Sequence, residues 1–83
     1  MTPFMRLILD VLADGALSGF EIARAVENRI PGALDGRDGY VYPALVALER
    51  AEAVLGTWEM RPEGRRRVYR RTIVPSEVRD ETA

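Results

Sequence analysis

The feature that most constrains this chain is a change of apolar period part-way along it. Before Arg50 the apolar residues recur three and four apart; from Val54 onward they begin to alternate. The first spacing lines one face of a helix and the second one face of a strand. A chain patterned this way folds as helices first and a β-ribbon last, which is the α+β class.

Phe4, Leu7, Ile8, Val11 and Leu12 form one helical stripe, predicting a helix over residues 2–13. Thr2 can cap it, Pro3 fits its first turn, and Asp14-Gly15 stops it. Ser18 and Glu21 have capping-box spacing, in which each side chain accepts from the other residue's backbone N–H. Leu17 can staple onto Ile22, and Ile22, Ala23, Val26 and Ile30 carry the second stripe to a break at Pro31-Gly32. Residues 31–39 hold three glycines and a proline and read as a loop. Val41, Leu45 and Leu48 mark the buried side of a third helix. Pro43 lacks the N–H that an interior helical position donates, so it belongs in or beside the first turn. The helix therefore starts around Gly39 to Tyr42, with Asp38 as the favoured cap.

Runs from Val54 to Met60 and from Val68 to Val74 read as strands around the turn Pro62-Glu63-Gly64-Arg65. Trp58 and Tyr69 are expected to pack this ribbon onto the helices. These elements define one domain over residues 1–74. Residues 75–83 form a short acidic tail, which either frays or makes a turn or two of helix capped by Ser76.

The chain has neither cysteine nor histidine. That removes disulfides, thiolate and imidazole metal ligands and the usual general base. No pair of carboxylates is spaced for catalysis, so no enzyme activity, metal or cofactor is expected. No run approaches the roughly 20 apolar residues that span a bilayer, and no basic-then-apolar leader is present. A cytoplasmic protein without a membrane partner is expected.

Charge supplies the functional lead. The chain carries a net −1, yet residues 61–71 hold six arginines and one glutamate. A concentrated positive projection points to an anionic partner. That every basic residue is Arg is put down to coding bias. Three helices followed by a basic ribbon is the order of a winged helix-turn-helix: three helices plus a two-stranded β-wing. There the third helix enters the major groove and the wing lies along the backbone or minor groove.

Three segments carry a resemblance. Leu9-Asp-Val-Leu-Ala-Asp-Gly-Ala-Leu-Ser-Gly-Phe-Glu-Ile-Ala23 resembles the opening of PadR-like transcriptional regulators. Gly39-Tyr-Val-Tyr-Pro-Ala-Leu45 with Leu48-Glu49 resembles their recognition helix, and Gly64-Arg65-Arg66-Arg67-Val68-Tyr69-Arg70 with Thr72 their wing. The resemblance implies a repressor that binds double-stranded DNA at an inverted repeat as a homodimer, often released by a small hydrophobic or phenolic effector. By position it implies Tyr42 near phosphates at the start of the recognition helix, with Arg37 and Tyr40 beside it. Arg65, Arg66 and Arg67 become the wing, and with Arg61 hold the backbone.

Departures from the family are specific. Its long C-terminal dimerisation helix has no counterpart here, so dimerisation is expected through another surface, such as the first helix with Met1 and Met5, or through a partner protein. The family's usual glycine after the recognition helix appears as Ala53, and Asp35 and Asp38 would repel phosphate. The alternative is therefore a winged-helix interaction module whose basic ribbon docks an acidic protein without specific DNA binding. For Arg65–Arg67 a solvated strand edge is the plain reading. For Tyr42 it is a ring packed under the first helix.

Overall fold

A computed structural model describes residues 1–72 of the 83-residue chain. Helix α1 spans Pro3–Val11, strand β1 Leu17–Ser18 and helix α2 Gly19–Arg29; a 3-10 turn, Asp38–Tyr40, leads into α3, Val41–Arg50. Strands β2, Val54–Arg61, and β3, Gly64–Arg71, complete the chain. The expected tail, and Ile73 and Val74 of the expected second strand, lie outside the described residues.

The helix boundaries follow from local chemistry. Thr2 has the extended backbone of an N-cap, and its hydroxyl accepts from the Met5 N–H at 3.1 Å; Pro3 then occupies the first helical position. The capping box of α2 is complete: Ser18 Oγ accepts from the Glu21 N–H at 3.2 Å and Glu21 Oε1 from the Ser18 N–H at 2.9 Å. Beyond α2 the Glu27 carboxylate accepts from the N–H groups of Gly32 and Leu34, closing the loop so that Leu34 is buried.

One expectation around α3 is corrected. Asp38 caps neither the 3-10 turn nor α3 with its side chain. The turn runs into α3 with Tyr40 already in right-handed helical backbone, so the extended cap position that Asp38 would need does not exist. At the other end of α3, Glu52 takes left-handed backbone at φ 59°. The N–H groups of Ala53 and Glu52 donate to the carbonyls of Leu48 and Glu49. That is a Schellman closure with glutamate where glycine is usual.

The core is built by Ile8, Leu12, Ile22, Val26, Leu34, Val41, Leu45 and Leu48, all essentially inaccessible, and is sealed by Ala53, Val54 and Tyr69 from the base of the ribbon. Met5 packs against this cluster, whereas Met1 is exposed. The sheet is antiparallel with order β1-β3-β2, one strand more than the expected two. Leu17 pairs with Tyr69 and Ser18 with Val68. The extended backbone that lets Ser18 cap α2 also lets it join the sheet. In the hairpin Arg61 pairs with Gly64 across Pro62-Glu63, and Gly64 has φ +134°, a conformation open to glycine.

The hairpin outruns the core. Its base buries Val54, Val68 and Tyr69, while Trp58 and Met60 farther out are 54% and 76% exposed. Tyr69 thus packs as expected and Trp58 does not. Among the described residues no helix is long and apolar enough to cross a membrane.

Candidate nucleic-acid interface

Strand alternation divides the arginine run between two faces. Arg65 and Arg67 stand opposite Met60 and Trp58 on one face, and Arg66 stands opposite Glu59 on the other. The guanidinium groups of Arg65 and Arg67 lie 4.6 and 5.4 Å from the centre of the Trp58 ring, which therefore presents an aromatic surface flanked by two cations. Arg67 also reaches the α3 carboxylate of Glu49 at 3.4 Å. Gly56 leaves room for it: a side chain there would meet the Arg67 guanidinium at about 3.0 Å.

Arg66 is tied down. Its Nε lies 2.8 Å from Glu59 Oε1 and its Nη1 3.2 Å from Glu21 Oε1, the oxygen that caps α2. Arg61 shares Glu59 at 2.6 Å. The Glu21 carboxyl is held below the usual glutamate range, first by the Ser18 backbone N–H and then by Arg66. Hydrogen bonds from Arg61 and Arg66 lower Glu59 likewise, and Glu59 foremost holds Arg66 more firmly protonated. Arg65 has no acidic partner among the described residues.

Tyr42 leans on the start of α2 rather than lying under α1. A Cβ at Gly19 would come within 2.7 Å of its Cε1 and 2.9 Å of its hydroxyl, so this ring position depends on Gly19 having no side chain. The ring stays half exposed. Tyr42, Arg66 and Arg67 thereby line one groove of about 390 Å³, together with Ser18, Gly19, Phe20 and Tyr69. The first N–H groups of α2 and its positive dipole end open beside this groove, where an anionic oxygen is favoured. Arg37 and Tyr40 form a separate pair before α3: the guanidinium donates to the Tyr40 hydroxyl and lies 5.6 Å from its ring centre.

The seven residues singled out from the sequence thus fall into three places. Tyr42, Arg66 and Arg67 meet in the groove, Arg61 and Arg65 sit toward the wing tip, and Arg37 with Tyr40 flank the start of α3. Sequence reasoning passed over the start of α2, where Phe20 is exposed with Arg24 5.7 Å from its ring centre, and gave Trp58 to packing although it stands exposed. The "small-Gly-aromatic" segment at Ser18-Gly19-Phe20 was the available signal for the first.

Three helices, an antiparallel hairpin extending past the core and a short third strand define a winged helix-turn-helix protein. The profile of the transcriptional regulator PadR-like family matches residues 8–73. The chain belongs to that family. A PadR family transcription regulator from hypervirulent Clostridium difficile superposes with a TM-score of 0.78 at 23% identity, over 98% of this chain and 83% of that one. Bacillus subtilis PadR, solved in complex with operator DNA, gives 0.75 at 18% identity, over 98% of this chain and 45% of that one. A PadR-like transcriptional regulator from Bacillus cereus gives 0.74 at 22%, over 94% and 75%. Among curated proteins none matches.

Proposed function

We propose that this chain is a sequence-specific DNA-binding regulator, acting as a repressor on an inverted repeat. In this reading α3 lies in the major groove, and Tyr42, the start of α2 and Arg67 hold one phosphate path. Arg65 and the wing tip reach the next stretch of backbone, with Arg37 and Tyr40 at the near end of α3. The observation that carries it is the groove in which Tyr42, the start of α2 and wing arginines converge. Such groups serve phosphate recognition and fix register. Two copies of the chain, or one with a partner protein, would match the two halves of the site.

A second reading keeps the fold but gives the ribbon to an acidic protein. It is favoured by the net negative charge of the chain and by Asp35 and Asp38 ahead of α3, which would repel phosphate. Selection from random duplex DNA at two salt concentrations separates them. Enrichment of a palindrome supports the regulator; weak binding blind to sequence and abolished by modest salt supports the interaction module.

A further inference from the structure

We propose that α3 reads its operator by apolar contact with thymine methyl groups, and that Val46 is the side chain that does so. This rests on the DNA-binding reading above. Between Tyr42 and Glu49 the helix runs Pro-Ala-Leu-Val-Ala-Leu, so no side chain in its central two turns carries a hydrogen-bond donor or acceptor. Leu45 and Leu48 are buried in the core, whereas Val46 is 46% exposed.

The position of Val46 is set from both ends. Tyr42, Val46 and Glu49 follow one another along a single stripe of the helix. Tyr42 touches Gly19 at the start of α2, and Glu49 receives Arg67 from the wing. Val46 therefore lies between these two contacts on the exposed side of α3, the side that the DNA-binding reading turns toward the groove of the duplex.

In the major groove every base pair presents hydrogen-bonding edges, and the one apolar projection is the thymine methyl. A valine pressed against a guanine or cytosine edge leaves those groups without partners, which is costly. Against a thymine methyl, both surfaces leave water together. The polar readers are confined to the ends of the helix: the Tyr42 hydroxyl at its start, Glu49 and Arg50 at its finish.

The test begins from the duplex enriched by selection, with each thymine replaced in turn by uracil, which lacks only the methyl. Uracil at the thymine facing Val46 should weaken binding about three- to fourfold per half-site, the worth of one buried methyl. Val46→Ala, at an exposed position where alanine favours helix, should bind the thymine and uracil duplexes alike. An enriched duplex indifferent to uracil at every position, or an equal uracil penalty in the Val46→Ala protein, overturns methyl reading while leaving the DNA-binding function standing. Failure to enrich any duplex overturns both.

Discussion

Arg65 and Arg66 are neighbours in sequence and should behave differently on DNA. Arg65 has no acidic partner among the described residues and lies over exposed Trp58. Arg66 already lies 2.8 and 3.2 Å from Glu59 and Glu21, and with Arg61 it balances those two carboxylates. An arginine that brings uncompensated charge to a phosphate displaces a condensed counterion, and each such contact adds about 0.9 to the slope of log K against log salt. Arg66 would only exchange one anion for another. Arg65→Ala should therefore lower the slope by about 0.9 per copy, and Arg66→Ala should leave it nearly unchanged. Between about 50 and 200 mM salt that difference amounts to about 3.5-fold in affinity. The deficit of the Arg65→Ala protein shrinks by that factor as salt rises, while any deficit of the Arg66→Ala protein stays constant. Fluorescence anisotropy on a labelled duplex of arbitrary sequence, titrated across this range, measures both slopes. Equal slope changes, or an unchanged slope for Arg65→Ala, would refute the assignment of the two faces.

Gly19→Ala drives a methyl into the Tyr42 ring, which is half exposed and free to swing away. Thermal stability should hold while DNA binding falls about tenfold, the worth of a hydrogen bond to a charged group, and Tyr42→Phe should match it in the same titration. Glu52→Gly relieves left-handed backbone at φ 59° and should stabilise by about 1 kcal/mol, read as a rise in Tm of about 4–8 °C. No rise would show that the Schellman closure is unstrained with glutamate. Because the Glu21 carboxyl is held below its ordinary range, the unfolded chain takes up its proton more readily than the folded one. The stability it contributes is complete above about pH 4.3 and is lost as pH falls through the folded value. Glu21→Gln should accordingly flatten the acid side of a Tm-against-pH curve between about pH 6 and 3, and an unaltered acid limb would count against the capping ion pair.

What the sequence made legible is what neighbouring residues decide. The Ser18–Glu21 box, the Thr2 cap and the position of Pro43 each depend on partners within a few residues, and each stands in the structure. The hairpin turn was legible for the same reason. Strand β1 was not, because two residues carry no period and their partners, Val68 and Tyr69, lie far along the chain. Trp58 misled for a different reason. Alternation assigns it and Met60 to one face with Val54, but only tertiary packing decides where along that face the core ends. The arginine run was legible as charge and as wing; its division between a free cation, a cation shared with α3 and a cation locked to α2 depends on Glu49, Glu59 and Glu21.

Those three glutamates join the elements of the interface to one another. Arg66 joins β3 to the capping box of α2, and Arg67 joins β3 to the last turn of α3. The wing, the start of α2 and α3 are thus tied to one another. Internal pairs subtract from the charge that pulls on phosphate, so non-specific attraction is lower than six arginines suggest. In exchange the three elements keep a fixed mutual geometry, and less ordering is left to be done on binding. The central part of α3 carries no polar side chain, so the methyl reading proposed for Val46 requires that it be held at one depth in the groove. On that proposal the pairing of Arg66 with Glu21 serves specificity through position, since a methyl contact counts only where the helix is prevented from shifting away from it.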